Sequence, residues 1–451
     1  MPRIETEHLA KLAEYPFVVV SWVDDAGYPM SVATEFRADT SGGTVVLEAP
    51  AGEALAIPTD RAVNVLGSHI RPTPGQGYDE RRYLQLWGTA GPAADGSVVF
   101  TPTSAWGWDE SEIPFFEYSE RSVPQSRRYL AALSEEKGRT IRPRLSLGWL
   151  FLRTTRLPFL SATFVPVLLG IAVAARNGSF DVWLALATVI GGAFAHLAIN
   201  VTNDIFDTLS GADEANVNPT QFSGGSRVLI YDLVTLRQLV ALAMGLFGGA
   251  AAIGLLLVWA TGSVTLLWIG VAGIAVGIAY TAPPLKLVYR GLGEIAVAIG
   301  FGPIMLLGAY VVQTGTLSWE AALVSVPVAI LVALILYVNE IPDRVGDAAA
   351  GKRTLPVRLP QGVVTGVYLA GAVVAFAVVV GGVIGNLLPA PTLLALLAAP
   401  LAWRVYGGIR RFYTQPYALM SFMGINVNLH LYVGGLLLVG YLVAIVIGLL
   451  T

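Results

Sequence analysis

Residues 238–285 and 359–403 contain no aspartate, glutamate, lysine or arginine. A helix needs about 20 apolar residues to cross the hydrocarbon of a bilayer. Backbone in lipid must satisfy its own hydrogen bonds, which a helix does. Each stretch is long enough for two crossings, and turn residues divide it: Thr261-Gly262-Ser263 in the first, Gly385-Asn386 and Pro389 in the second. The same reading extended along the chain predicts nine spans, at residues 157–175, 182–201, 236–260, 264–280, 291–312, 321–339, 362–384, 391–406 and 427–449. Charged residues make up only 13% of the chain, about half the usual share. The deficit lies in residues 145–451, so residues 1–144 and 145–451 read as separate domains.

From residue 145 onward there are fourteen Lys and Arg, and with alternating spans thirteen fall on one side; Arg176 is the exception. Basic residues concentrate on the cytoplasmic side. The expectation is an integral protein of the cell membrane, with its N-terminal domain in the cytoplasm and its C-terminus outside. Residues 1–15 are polar and charged, unlike a signal peptide. The absence of cysteine excludes disulfides, thiolate metal sites and cysteine nucleophiles. The net charge of −3 says little about partners; membrane lipids are expected and nucleic acid is not.

In the N-terminal domain, residues 17–23, 29–36, 44–49, 61–70 and 81–90 are short, β-branched or aromatic, and separated by turn residues. They predict strands of a small antiparallel barrel. Trp106-Gly107-Trp108-Asp109-Glu110 then leads to a helix at 125–136. Over roughly residues 9–137 this part resembles the split-barrel fold of pyridoxamine-phosphate-oxidase-like and flavin-reductase-like proteins. The resemblance rests on the strand order and on the opening Phe17-Val18-Val19-Val20-Ser21-Trp22-Val23-Asp24-Asp25-Ala26-Gly27-Tyr28-Pro29. It implies hydroxyl and basic residues after the third strand to hold a flavin phosphate. That region reads Pro50-Ala51-Gly52-Glu53-Ala54-Leu55, with no basic residue, so a bound flavin is not expected. Arg61, Arg71, Arg81 and Arg82 are read as solvated strand-edge residues, and His69 as a packed or surface residue. The expected fold is an all-β split barrel with a minor helix, then an all-α polytopic membrane bundle of nine transmembrane helices.

The chemistry concentrates in residues 200–213. At helical spacing Asn200 and Asp204 are i, i+4, Asn203 and Asp207 are i, i+4, and Asp204 and Asp207 are i, i+3, all on one face. Oxygen ligands at the mouth of an apolar bundle are costly unless a cation sits there. Carboxylate and amide oxygens are hard ligands, suited to Mg²⁺. Asn339, Asp343 and Asp347 repeat the stripe at the end of the sixth span, on the same side of the membrane. Two such faces opposed repel unless divalent cations and an anion lie between them. Arg227 ends the turn Ser223-Gly224-Gly225-Ser226-Arg227, whose amides suit an oxyanion, and Lys352 and Arg353 follow the second stripe. Magnesium, carboxylates and these cations suit a diphosphate, and at the mouth of an apolar bundle a polyprenyl diphosphate with its tail among the helices. The competing reading is interfacial charge that merely marks helix ends.

These residues resemble the UbiA-type intramembrane prenyltransferases over about 145–450. Asn203, Asp204, Asp207 and Asp213 match the family's first motif, Asp343 and Asp347 its second, and Tyr280-Thr281-Ala282-Pro283-Pro284-Leu285-Lys286 its linker after the fourth helix. Gly211-Ala212-Asp213-Glu214-Ala215-Asn216, Phe222-Ser223-Gly224-Gly225-Ser226-Arg227 and residues 351–359 look most like the 1,4-dihydroxy-2-naphthoate polyprenyltransferases of menaquinone synthesis. One departure is Asn339-Glu340, where two asparagines are expected.

The resemblance implies nine helices around a cavity and Mg²⁺-dependent transfer of a prenyl group to a small aromatic acceptor. Asp204, Asp207, Asp343 and Asp347 would hold Mg²⁺, with Asn200, Asn203, Asn339 and Asp213 around them. Arg227, Lys352 and Arg353 would meet the diphosphate, and Tyr280 and Lys286 the diphosphate or the acceptor. Asn426, Asn428 and His430 are read as interhelical hydrogen-bonding residues. Other readings keep the chemistry but change the acceptor to 4-hydroxybenzoate, a chlorin or porphyrin, or glycerol phosphate. Others again make the protein a cation-dependent lipid-phosphate carrier, or a flavin or haem barrel anchored by the helices.

Overall fold

In β1 (Val18–Val23) alternate side chains Val18, Val20 and Trp22 turn inward, onto Leu9 and Leu12 of α1 (Thr6–Leu12). This is the half-buried pattern the sequence predicts. The computed structural model describes residues 6–48, 57–73, 77–93, 96–113, 115–142, 145–216, 219–220 and 222–450. The chain divides into two units, Met1–Arg121 and Ser122–Thr451. The first holds β1, β2 (Pro29–Thr34), β3 (Phe36–Asp39), β4 (Thr44–Leu47), β5 (Ala62–Thr73), β6 (Gly77–Pro92) and β7 (Val98–Asp109) in one antiparallel sheet of order β2-β1-β5-β6-β7-β4-β3. Two of these strands were not expected. The segment read as a single strand at 29–36 breaks at Glu35, and β7 contains Pro102 and Gly107, residues that read as turns. Pro102 is accommodated where the β6–β7 register shifts, next to Gly88.

Three arginines of this unit are engaged by carboxylates, while the Arg82 guanidinium lies 5.9 Å from the Tyr15 ring. Arg61 donates to Asp25 and Asp60 at 2.6 and 2.8 Å, Arg71 lies 2.9 Å from Glu80, and Arg81 forks onto Glu110. The stretch at 50–55, on which the flavin reading turned, lies outside the described residues. The helix expected at 125–136 begins earlier, as α2 (Phe115–Glu136).

The second unit is helical: α3 (Leu147–Thr155), α4 (Ser161–Arg176), α5 (Val182–Leu209), α6 (Ala212–Ala215), α7 (Leu236–Thr261), α8 (Val264–Thr281), α9 (Gly293–Ile299), α10 (Met305–Thr314), α11 (Trp319–Ala349), α12 (Leu355–Arg358), α13 (Gln361–Ile384), α14 (Ala399–Phe412) and α15 (Pro416–Leu450). A π-helical turn, Gly300–Ile304, joins α9 to α10, and a 3₁₀ segment, Ala390–Ala398, leads into α14. Among the described residues eight helical stretches are long and apolar enough to cross a membrane. The first of the nine expected spans is the shorter apolar α4. The protein is an integral membrane protein.

Two helices outrun their predicted spans. α5 starts on an Asp181 cap that accepts from Trp183 and Leu184 N–H, and continues to Leu209. α11 starts on the Ser318 hydroxyl and continues to Ala349. Hydropathy ends a span where polar residues begin, whereas the helix continues through them. Both polar stripes are therefore rigid extensions of spanning helices. The core that holds α11 includes Val324, Leu331, Tyr337 and Ile341 with Tyr368 of α13 and Leu429 of α15. Asn426 of α15 ties three helices together, donating to Leu334 O at 2.9 Å and accepting from the Tyr368 hydroxyl at 3.0 Å. His430, one turn on, is buried with neither ring nitrogen partnered among the described residues.

Candidate active site

One face of α5 presents Thr188, Gly192, Ala195, His196, Ile199, Asn200 and Asn203 to a cavity of about 510 Å³. From Thr188 to Asn203 this wall is roughly 22 Å of helix. The other walls are apolar residues of α7, α8, α10 and α11, among them Ile253, Val258, Ile274, Met305 and Ile335. Polar groups gather at one end, where Asn200, Asn203, Tyr280 and Asn339 line the cavity together with Arg156.

Beyond that mouth the two acidic stripes meet. Asp204, Asp207, Asp213 and Asp347 are all buried. Lys352 bridges the stripes: its Nζ lies 3.5 Å from Asp207 Oδ2 and 3.6 Å from Asp347 Oδ1. Burial acts to lower the Lys352 pKa, but the Asp207 and Asp347 carboxylates outweigh it and hold the ammonium well above its ordinary value. Asp207 also accepts from Asn203 Nδ2 and from the Tyr289 hydroxyl, both at 3.0 Å, and Tyr289 meets Ser210. Burial, with the Asp207 and Asp204 charges beside it, pushes the Asp213 carboxyl up to about 8.

The glycine-rich turn binds both stripes. Its amides, expected to cradle an oxyanion, are instead given to carboxylates: Gly224 N–H donates to Asp343 Oδ2 at 3.0 Å, and Ser226 N–H to Asp204 at 3.2 Å. Asn216 Nδ2 reaches Asp343 Oδ1 at 2.7 Å. Gly225 has φ +74°, and a Cβ there would lie 2.9 Å from the Asp213 carboxylate, so a side chain is excluded on two counts. Gly346 of α11 is needed for packing, since its Cβ would lie 2.7 Å from Asn216 Cα.

The remaining expected residues fall around this centre. Arg227 donates to the carbonyls of Asp213 and Asn216, and its guanidinium lies 5.3 Å from the Tyr231 ring. Lys286 Nζ lies over the Tyr289 ring at 4.9 Å. The Arg353 side chain is exposed, while its N–H donates to Tyr289 O. Glu340, the departure from the expected pair of asparagines, lies buried against the Glu294 carboxyl of α9, with no donor to either among the described residues.

Sequence reasoning missed Arg156, Asn216 and Tyr289. Arg156 forms an ion pair with Asp204, reached through a left-handed backbone (φ +52°) between α3 and the turn Leu157–Leu160. Among the described residues no three carboxylate or imidazole groups converge on one point. Among the described residues the buried oxygens Asn203 Oδ1, Asn339 Oδ1 and Asp347 Oδ2 have no hydrogen-bond partner.

Residues 163–428 match the profile of the UbiA prenyltransferase family. The chain is 32% identical to a 2-carboxy-1,4-naphthoquinone phytyltransferase of Synechocystis over 65% of its own length and 92% of the relative's. It is likewise 32% identical to a 1,4-dihydroxy-2-naphthoate octaprenyltransferase of Bacillus subtilis, over 55% of its length and 78% of that protein's. Among solved structures, the apo form of a UbiA homolog from Aeropyrum pernix K1 is 18% identical, with a TM-score of 0.47, over 61% of this chain and 97% of that one.

Proposed function

The chain belongs to the UbiA prenyltransferase family, and from that premise we propose that residues 145–451 transfer a polyprenyl group from a prenyl diphosphate to 1,4-dihydroxy-2-naphthoate, a step of menaquinone biosynthesis. The observation that carries the reading is the meeting of two acidic stripes on Lys352 at the polar end of a long apolar cavity. The acceptor is supported by the relatives' names, which specify naphthoate-type acceptors.

The residues at the mouth fit Mg²⁺. Buried Asn203 Oδ1, Asn339 Oδ1 and Asp347 Oδ2 are hard oxygens with no hydrogen-bond partner among the described residues. Hard oxygen donors of this kind would suit Mg²⁺ with a substrate phosphate supplying further ligands. Asp204, Asp207, Asp343 and Asp347 would hold it, with Asn200, Asn203, Asn339 and Asp213 around them. Bound there, the metal supplies Lewis-acid stabilisation of the leaving diphosphate.

The chain's own groups do the rest. Lys352 and Arg156 place positive charge where the diphosphate oxygens develop theirs, and Arg353 and Lys286 lie at the rim. Arg227 keeps the turn at 223–227 against Asp213 and Asn216. The apolar walls keep water from the allylic cation. The allylic C–O bond breaks with its electron pair going to diphosphate, and the ring carbon bearing the carboxylate bonds to the allylic carbon. The carboxylate then leaves as CO₂, and its C–C electron pair restores the aromatic ring. The distribution of Lys and Arg supports a cytoplasmic mouth and a cytoplasmic N-terminal domain in the cell membrane. We read the N-terminal sheet as a split-barrel module without flavin.

The test is an incubation of purified protein with Mg²⁺, a series of prenyl diphosphates and a panel of aromatic acceptors, followed by mass spectrometry. A decarboxylated prenyl-naphthalenediol is expected. A product on 4-hydroxybenzoate alone would overturn the acceptor, and no prenylated product at all would overturn the function.

A further inference from the structure

The mouth accounts for the polar side chains at one end of the cavity, but others on α5 lie deeper. His196 lines the cavity on α5, one turn below Asn200 and roughly 6 Å further along the axis. It is 4% exposed. Its Nδ1 lies 2.7 Å from the Thr163 hydroxyl of α4, and its ring meets Phe301 edge-on, with centroids 4.8 Å apart. With Nδ1 turned to Thr163, Nε2 is the nitrogen left for the cavity, and it has no partner among the described residues. The Thr163 hydroxyl has no other acceptor among the described residues. The arrangement that uses every donor therefore has Thr163 O–H donating to Nδ1, which leaves an N–H on Nε2. Thr188, also deep in the cavity, spends its hydroxyl on Leu184 O. Once an occupant displaces water from this depth, a donor left facing hydrocarbon carries its desolvation penalty, which favours an occupant that brings an acceptor atom.

We propose that His196 is the acceptor-recognition residue, its Nε2–H donating to a hydroxyl or carboxylate oxygen of a hydroxylated aromatic substrate. Thr163 fixes the tautomer and Phe301 the plane of the ring. This rests on the prenyl-transfer reading above. A prenyl tail carries no acceptor atom, and the diphosphate is held at the mouth. The attacking ring carbon must come within about 3–3.5 Å of the allylic carbon beside the diphosphate. A ring placed between the level of Asn200 and that of His196 meets both conditions, with its reacting carbon toward the mouth and an oxygen at Nε2.

The test measures initial rates with 1,4-dihydroxy-2-naphthoate, geranylgeranyl diphosphate and Mg²⁺ for wild type, His196→Leu and His196→Gln. In His196→Leu the KM for the naphthoate is expected to rise about tenfold, with the KM for the prenyl diphosphate unchanged within about twofold. His196→Gln, which restores an N–H, is expected to recover most of the loss. An unchanged naphthoate KM, or a parallel rise of both KM values, overturns the proposal and leaves the prenyl-transfer reading standing. If His196→Leu is not recovered folded, His196→Met against His196→Gln decides in the same way. If wild type makes no product from the naphthoate, the proposed acceptor falls. His196 is then judged by calorimetric titration of wild type and variant with 1-naphthol, 4-hydroxybenzoate and 1,4-dihydroxy-2-naphthoate in the presence of geranylgeranyl diphosphate. Weaker binding of any of them to the variant by about tenfold supports the proposal. Equal binding, or none to wild type, overturns it.

Discussion

Lys352→Met tests whether the two acidic stripes form one site. The ammonium stands 3.5 Å from one stripe and 3.6 Å from the other, and the three side chains are 12%, 6% and 6% exposed. At an effective dielectric of about 20, each contact is worth roughly 4–5 kcal/mol before desolvation is counted. Removing one partner of a buried ion pair costs about 3–5 kcal/mol, because the remaining charge is left uncompensated. Here two carboxylates are left. Methionine preserves the length of the side chain, so the loss reports charge rather than a cavity. The assay is unfolding in detergent, in chelator and in excess Mg²⁺. In chelator the variant is expected to be less stable than wild type by about 3 kcal/mol or more. In Mg²⁺ the gap is expected to narrow, since Asp207 and Asp347, relieved of the ammonium, take a cation more tightly. Prenyl transfer in Mg²⁺ is expected to be lost. A gap of equal size with and without Mg²⁺, or no gap in chelator, refutes the reasoning.

Gly346→Ala is expected to push α6 and Asn216 off α11, because the new Cβ would meet Asn216 Cα at 2.7 Å; unfolding should come earlier by about 1–3 kcal/mol, with transfer activity reduced. Asn426→Leu removes the side-chain bond to the Leu334 carbonyl and leaves the Tyr368 hydroxyl without its acceptor, at about 1–2 kcal/mol in a membrane bundle. Adding Tyr368→Phe should cost less than the sum of the single changes, read from a double-mutant cycle of unfolding free energies. Glu340→Gln places an amide donor against the Glu294 carboxyl, in place of two apposed carboxyls with no other partner among the described residues. It is expected to leave thermal stability equal or higher, and a lower unfolding temperature would contradict that.

The acidic stripes were legible because a charge in an apolar helix needs a cause and helical spacing puts the residues on one face. That they meet was legible only as a repeat; the contact itself runs through Lys352. Arg156 was read as a topology signal because nothing local distinguishes it from a helix-end arginine. A left-handed backbone turns it onto Asp204, 48 residues away. Tyr289 likewise sits between Lys286 and Arg290 in what reads as a basic loop, and only the fold brings its hydroxyl to Asp207. Asn216 ends the motif at 211–216, but its bond to Asp343 depends on the absence of a side chain at Gly346. In the sheet, β7 was passed over because Pro102 and Gly107 look like punctuation. The extra residue Thr103 of β7, opposite the Trp87–Gly88 step, shifts the register beside Pro102 and accommodates the proline, and such a bulge is set by the pairing of two distant segments.

The turn at 223–227 holds Asp343 through Gly224 and Asp204 through Ser226, two bonds on residues two apart. A ligand that draws one carboxylate away disturbs the segment that restrains the other. The two halves of the mouth therefore cannot fill independently. Occupancy of one is expected to change the affinity of the other, by a factor that is the same in either order of loading. Titration of the protein with divalent cation alone should be cooperative, and lengthening the turn by one glycine should make it hyperbolic.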